Sequence, residues 1–379
     1  MSKPRGKNWV EVSRAAIRHN VAALREHVGP DVKFMAVVKS NAYGHGTALV
    51  VKSLMTRRQV DWFGVDSFEE AVAVRSAGAK QPILILGYVP EDQLKSVVRA
   101  GFSVAAYDPE MIEKLNELAG SGQPAKIHLK LETGTSRQGV LPQDLPKVIA
   151  ALRKCEHVWL EGVYTHYADV EDTADSSYAM KQLAAYNSGL LMLAEAGFEP
   201  HVRHTAASGA AILHGRTRFD MVRAGIAIYG QWPSATVRQK APQKLRLQPA
   251  MTVKATVAQV KRLPVGTPVS YGLTEVLKRD SKLAVVTAGY YDGYDRSLSS
   301  TAHVLVRGKR ARVVGRVCMN MIIVDVTDIR GVKRGDEVVL LGRQGKEEVS
   351  AEELGELSGT INYEVVTRIN PLLPRIQTK

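Results

Sequence analysis

Lys39 follows an apolar run, residues 34–38, within Val37-Val38-Lys39-Ser40-Asn41-Ala42-Tyr43-Gly44-His45-Gly46. The run reads as a buried strand closed by an amine, then a glycine-flanked turn and a helix from Thr47 to about residue 56. Burying a charged amine without a partner costs several kcal/mol, so a lysine here is expensive as structure. It is well placed as chemistry, because an amine that sheds its proton attacks carbonyl carbon. Other polar residues close other apolar runs. Lys130 lies in His128-Leu129-Lys130-Leu131-Glu132-Thr133-Gly134-Thr135-Ser136-Arg137, His166 follows Thr165, and Arg223 leads into Gly225-Ile226. A phosphate needs backbone N–H donors, hydroxyls and a helix amino terminus. Ser208 with Gly209, the backbone of Gly225 and Ile226, and the hydroxyls of Tyr43 and Tyr363 offer such groups.

The elements that must position these residues alternate strand and helix up to about residue 240. Strands are predicted near 34–39, 62–65, 83–86, 104–107, 127–132, 159–165, 201–205 and 221–224, with helices between them. Ser13, Ser67 with Glu70, and Asp108 before Pro109 are the helix-start signals. Eight strand–helix units make a (β/α)8 TIM-type barrel, whose functional residues belong at the carboxyl ends of the strands. A doubly wound sheet would need a dinucleotide fingerprint, and Gly44-His45-Gly46 lacks its third glycine and downstream acid. After the Gln-, Pro- and base-rich stretch 232–248, the segments 251–260, 283–288, 304–306, 312–317, 321–326 and 337–341 are β-branched and alternating. One helix, 350–357, interrupts them. The expected organisation is a barrel over 1–240 and a mainly β domain over 241–379, which residues before about 12 are free to join.

Composition bounds the function. The chain has 379 residues, 45% hydrophobic and 23% charged, as in an ordinary globular protein. Its net charge of +13 is spread in ones and twos without a basic tract, and aromatic content is 6%, which argues against nucleic acid. A basic surface suits an anionic cofactor or amino-acid carboxylates. Only Cys155 and Cys318 occur, so there is no disulfide framework. Cys155 and His157 are expected to share a strand face, and His201 and His204 to point to opposite faces of theirs, so no metal site is expected. No apolar stretch resembles a signal peptide or membrane span, and a cytoplasmic protein is expected.

The Lys39 segment closely resembles the pyridoxal-phosphate segment of the alanine racemase family, whose lysine forms a Schiff base with the cofactor aldehyde. Further family motifs follow in order: Val222-Arg223-Ala224-Gly225-Ile226, Val269-Ser270-Tyr271-Gly272, Cys318-Met319 and Asn362-Tyr363-Glu364. The resemblance runs essentially end to end. It implies that Tyr43, Ser208, Gly225, Ile226 and Tyr363 hold the cofactor phosphate. It sets Arg223 against the pyridine nitrogen, with His166 behind it. An arginine there keeps the nitrogen unprotonated, which favours racemisation over transamination or decarboxylation. Lys39 and Tyr271 become the two acid/bases, one for each face of a planar carbanion. A tyrosine hydroxyl gives up its proton near neutrality only beside cationic or donor groups.

By the same resemblance, Arg137 and Met319 hold the substrate carboxylate, and Tyr290 lines the entrance. Lys130 matches a lysine often carbamylated, and Tyr271 is lent across a homodimer. The implied activity is interconversion of L- and D-alanine for peptidoglycan. The alternatives are a broad-specificity, serine or lysine racemase, a decarboxylase of the same plan, and a non-enzymatic pyridoxal-phosphate-binding protein. Arg223 opposes the decarboxylase, and the β domain with Tyr271 opposes the carrier. Ala207, Thr135-Ser136 and Asn320 depart from the family's usual asparagine, Met-Gly and aspartate, near the implied substrate side of the cofactor.

Overall fold

The computed structural model describes residues 6–55, 59–171 and 175–378. It divides into two compact units. One comprises Ile17–Ala42 and Val50–Gln248; the other comprises the stretch ending at Ala16, Tyr43–Leu49, and the chain from Pro249 onward.

The first strand, β1 (Trp9–Ser13), belongs to the second unit. The next eight are β2 (Lys33–Val37), β3 (Trp62–Val65), β4 (Ile83–Ile85), β5 (Ser103–Ala106), β6 (Ala125–Lys130), β7 (Val158–Tyr164), β8 (Val202–His204) and β9 (Met221–Ala224). They form one sheet in the order β8-β7-β6-β5-β4-β3-β2-β9. Neighbours are parallel, and β2 pairs with β9 from Lys33↔Met221 to Ala36↔Ala224. Across the remaining seam, the Asp220 N–H donates to Arg203 O at 3.0 Å and the Arg223 N–H to Ala206 O at 2.9 Å. The sheet closes as the expected eight-stranded barrel. Strands buried on both faces read as continuous apolar runs, and residues 34–38 are all buried.

Helices start where capping residues stand. Ser13 Oγ accepts from the Ala16 N–H at 3.2 Å and Asp108 Oδ1 from the Met111 N–H at 2.7 Å. Ser67 Oγ accepts from the Glu70 N–H, but the Glu70 carboxylate does not complete a box; it binds the N–H groups of Asp66 and Ser40. The helix from Thr47 is described as far as Leu54, and its expected end at residue 56 lies outside the described residues. Cys155 ends the helix Leu145–Lys154 and His157 precedes β7, so the two share no strand face. The apolar spacing of that helix, not a strand, governs the segment.

In the second unit the strands are β10 (Met251–Leu263), β11 (Pro268–Val269), β12 (Glu275–Val276), β13 (Ser281–Val286), β14 (His303–Val306), β15 (Lys309–Arg312), β16 (Ile322–Asp325), β17 (Glu337–Gln344), β18 (Glu347–Val349) and β19 (Arg375–Thr378). The main sheet runs β15-β14-β17-β10-β1-β19, with β13 and β16 extending from β10. Up to Ala258, β10 alternates buried and half-buried residues, the period of a sheet with one covered face. Two helices accompany it, Ala351–Ser358 as expected and Asn362–Thr367 in addition. The second is six residues long, too short for periodicity to reveal it.

Candidate active site

Lys39 follows β2 at the carboxyl end of the barrel, with its side chain 39% exposed and Nζ 3.4 Å from Asp66 Oδ1. The next four residues do not form the expected simple turn. Ser40, Asn41, Ala42 and Tyr43 have φ of 54°, 54°, 53° and 52°, a left-handed run without glycine. Each L-residue there costs about 1–2 kcal/mol. The run is retained by the Ala42 N–H, which donates to Val38 O at 3.0 Å, and by the Ser40 N–H, which donates to Glu70 Oε1 at 2.6 Å. Glu70, unremarkable in the sequence except as a capping residue, anchors the segment that carries Lys39.

Arg223, on β9, is 4% exposed. Its two terminal nitrogens donate to the carbonyls of His204, Thr165 and Thr205 at 2.8–2.9 Å, to His204 Nδ1 at 2.9 Å and to His166 Nδ1 at 3.3 Å. Its guanidinium carbon lies 5.2 Å from the Tyr164 ring centroid. Among the described residues no carboxylate pairs with it, and burial lowers its pKa to about 10. His166 is held well below the usual imidazole range by burial and then by Arg223, so it is neutral, with Nδ1 as acceptor. The family resemblance implied His166 behind Arg223 but did not include His204, which takes two of the guanidinium's hydrogen bonds.

Ser208 opens the helix Ser208–Leu213, and Ile226 opens the 3-10 turn Ile226–Tyr229. Neither start is capped by a side chain. Ser208 Oγ accepts from the Gly225 N–H at 3.0 Å, which joins them. Uncapped helix starts leave backbone N–H donors free of side-chain partners, the kind of group that binds an anion. Ala207 is the N-cap residue and supplies no side-chain bond.

Lys130 is 5% exposed and donates to Gln138 Oε1 at 3.1 Å. Burial first, and then Arg137 and Arg223, lower its pKa to about 8. The loop leading to Arg137 wraps the Glu132 carboxylate, which accepts from the N–H groups of Gly134, Thr135 and Arg137 at 2.6, 2.6 and 3.2 Å. Burial opposes ionisation of Glu132, but these donors outweigh it and hold the carboxyl below its usual range. Ser136 adopts φ 53°, where the family's frequent glycine fits without strain.

In the second unit, Tyr271 begins the 3-10 turn Tyr271–Leu273 and is 71% exposed. Ser270 Oγ lies 3.7 Å from Cys318 Sγ, and the Tyr290 N–H donates to Cys318 O at 3.0 Å. These links join the segments that carry Tyr271, Met319 and Tyr290. Gly289 permits this, since a Cβ there would lie 2.1 Å from Cys318 O. Tyr43 and Tyr363 also meet within this unit, with ring centroids 6.3 Å apart. Asn320 is half-buried, and nothing in the structure explains its departure from the family residue.

Among the described residues no group of three or more His, Cys, Asp or Glu side chains is placed so that it could hold a metal ion. No helix among them is long and apolar enough to cross a membrane. The fold and these side chains define a (β/α)8-barrel enzyme class with a lysine amine and a carboxylate-free buried arginine at the strand ends, followed in the chain by a β unit. Residues 12–233 match the alanine racemase N-terminal domain and residues 250–377 the alanine racemase C-terminal domain. The chain belongs to the alanine racemase family.

Relatives include an alanine racemase from Symbiobacterium thermophilum, 42% identical over 97% of this chain and 96% of the relative. One from Methanococcus maripaludis is 39% identical over 97% and 98%. Among solved structures, the Bacillus anthracis alanine racemase with bound L-Ala-P has a TM-score of 0.93 and 35% identity over 100% of this chain and 96% of that one. Alanine racemase from D-cycloserine-producing Streptomyces lavendulae has a TM-score of 0.92 and 34% identity over 100% and 98%.

Proposed function

We propose that this chain is a pyridoxal-phosphate-dependent racemase that interconverts L- and D-alanine with Lys39 and Tyr271 as its two bases, supplying D-alanine for peptidoglycan. The observation that carries the reading is Arg223: a buried guanidinium at the strand ends with no carboxylate beside it. The donor set fits the cofactor. Lys39 offers an amine to its aldehyde, Arg223 a cation that keeps its own proton to the ring nitrogen, and Ser208 and the Ile226 N–H donors to its phosphate, with the Gly225 N–H holding Ser208 in place. Family membership adds Tyr43 and Tyr363 to the phosphate group and His166 behind Arg223. When bound, pyridoxal phosphate holds the amino-acid nitrogen and withdraws electrons from Cα, which acidifies the Cα hydrogen.

The residues then divide the work. Lys39 Nζ takes or returns the Cα proton on one face, and Tyr271 Oη does so on the other. Arg137 and the Met319 N–H fix the carboxylate, and Tyr290 narrows the approach. Arg223 would donate a hydrogen bond to the ring nitrogen without giving up a proton, which would favour return of a proton to Cα over loss of the electrons into the ring. A base 71% exposed works in bulk water, and the exposed Leu273, Val276, Met319 and Met321 share its unit. Both features favour a homodimer in which Tyr271 serves the partner's site. Burial of Lys130 beside Arg137 favours carbamylation, because the neutral amine is the form that adds carbon dioxide. The two free cysteines suit a reducing, cytoplasmic setting.

The test is chiral chromatography of L-alanine, L-serine and L-lysine incubated with cofactor-saturated protein. A second sample is reduced with borohydride and peptide-mapped. D-alanine formed ahead of the other two, with the cofactor fixed on Lys39, is the expected outcome. Faster serine or lysine racemisation removes the alanine assignment, and label on another lysine removes the role of Lys39.

A further inference from the structure

The interior of the barrel holds a second set of ionisable groups. His204 Nδ1 accepts from Arg223, and its Nε2 lies 2.8 Å from His128 Nδ1. His128 Nε2 lies 3.2 Å from Glu161 Oε2, which also accepts from Ser103 Oγ. His128 and His204 are completely buried, Glu161 is 5% exposed and Ser103 is 1% exposed. The chain of contacts starts at Arg223 and ends at Ser103, the first residue of β5, so it descends from the carboxyl end of the barrel to its floor.

Hydrogen-bond chemistry gives this chain one direction. An arginine only donates, so His204 Nδ1 carries no hydrogen and Nε2 does. That hydrogen points at His128 Nδ1, which therefore accepts, leaving the His128 hydrogen on Nε2 to point at Glu161. Every donor faces the carboxylate. Burial above all keeps both imidazoles below their ordinary pKa, and they are neutral links. Burial alone would raise Glu161, but the His128 and Ser103 hydrogen bonds hold it ionised.

The backbone is built to admit this carboxylate. Alternation along β7 from Tyr164, which stacks on His204 at 4.9 Å, would turn Glu161 to the outer face. The β6–β7 register runs Ile127↔Leu160 and then His128↔Gly162, skipping Glu161. A bulge of this kind re-aims a side chain. Gly162 makes the remaining room, since a Cβ there would lie 2.4 Å from His128 Nδ1. A buried carboxylate is costly unless it balances a charge. Arg223 and Lys130 are the buried cations at the strand ends, and the hydrogen-bond chain from Glu161 leads to Arg223.

We propose that Glu161 is a positioning residue for Arg223: through His128 and His204, both held as Nε2–H tautomers, it orients the guanidinium and balances its charge. The inference rests on the proposed contact of Arg223 with the cofactor ring nitrogen only for its effect on turnover.

The test is long-range proton–nitrogen NMR of the full-length, cofactor-saturated protein with ¹⁵N-labelled histidine, on wild type and Glu161→Gln, alongside alanine kinetics. In the wild type, His128 and His204 are expected to be neutral with hydrogen on Nε2. Hydrogen on Nδ1, or a protonated ring, in either residue overturns the proposal whether or not the variant folds. In Glu161→Gln the Arg223 end still sets the tautomers, but the His128 Nε2–H loses its charged acceptor, so the His128 and His204 ring-nitrogen resonances are expected to shift. The kcat is expected to fall roughly tenfold, the size of one charge-assisted hydrogen bond, with KM little changed. Unaltered His204 resonances and unaltered kcat in that variant also overturn it. Ordered tautomers in a protein that racemises nothing support the relay and remove the proposed activity. Disordered tautomers in an active wild-type racemase do the reverse.

Discussion

The Thr135 hydroxyl donates to the His166 backbone carbonyl at 2.6 Å, tying the Arg137 loop to the end of β7. Gln182 reinforces the tie by donating to Thr133 Oγ1 and to the same carbonyl, each at 3.2 Å. The family's frequent methionine at position 135 cannot make this bond, so the departure substitutes one means of fixing the loop for another. Thr135→Val keeps the shape and removes the donor. A lost hydrogen bond is worth about 1 kcal/mol, so KM for alanine is expected to rise roughly fivefold with kcat less affected. Steady-state kinetics check this, and an unchanged KM would show that the loop is held without Thr135.

Lys130 carries a pH signature. Its folded pKa of about 8 lies below the ordinary lysine value of about 10.5. Between these values the unfolded chain binds more protons, so stability rises with pH; below about 8 the penalty of the buried charge is fully present. At about 1.4 kcal/mol per pH unit over about 2.5 units, the penalty is at most about 3.5 kcal/mol. Lys130→Met is therefore expected to melt higher than wild type at pH 7, with the gap closing towards pH 10.5. Carbamylation removes the same charge, so bicarbonate should narrow the gap at pH 8, and melting curves with and without it check both effects.

If Arg223 faces the cofactor ring nitrogen as proposed, Arg223→Glu replaces a cation that keeps its proton by an acid able to protonate that nitrogen. Racemisation is expected to slow, and pyruvate formed per racemisation event to rise, as electrons are drawn from Cα into the ring. Coupled pyruvate assays beside chiral chromatography measure the ratio. Unchanged partition at unchanged rate would remove the electronic role of Arg223.

Tyr271→Phe keeps the ring and removes the ionisable oxygen. A general acid/base contributes about 10²–10⁴-fold, and a loss of that order is expected in both directions. Mixing Lys39→Ala with Tyr271→Phe subunits tests the shared site. Each heterodimer would contain one intact Lys39–Tyr271 pair, so partial activity should return. No recovery in demonstrably exchanged heterodimers would confine the site to one subunit.

The barrel was legible in the sequence because parallel strands buried on both faces write themselves as apolar runs, and eight such runs alternated with helix-period segments. The polar residues closing those runs, among them Lys39, Lys130 and Arg223, were legible for the same reason. Three features were not. The left-handed run Ser40–Tyr43 contains no glycine and is imposed by Val38 and Glu70 rather than by local preference. Glu161 reaches the barrel interior only through a register skip that no periodicity announces. His204 read as one member of a weak histidine pair, because its partners Arg223 and His128 lie on other strands. Composition records which side chains exist; pairing between distant strands decides which of them meet.

The two-base assignment is tested most directly by the fate of the Cα hydrogen. L-alanine is racemised in deuterium oxide by cofactor-saturated enzyme, and the first D-alanine formed is separated and examined by mass spectrometry. With Lys39 and Tyr271 on opposite faces, the proton removed from one face is not the one delivered to the other. D-alanine is therefore expected to carry deuterium at Cα while the remaining L-alanine keeps its hydrogen. Substrate hydrogen retained in the D-alanine product would mean that one group serves both faces, and would contradict the assignment.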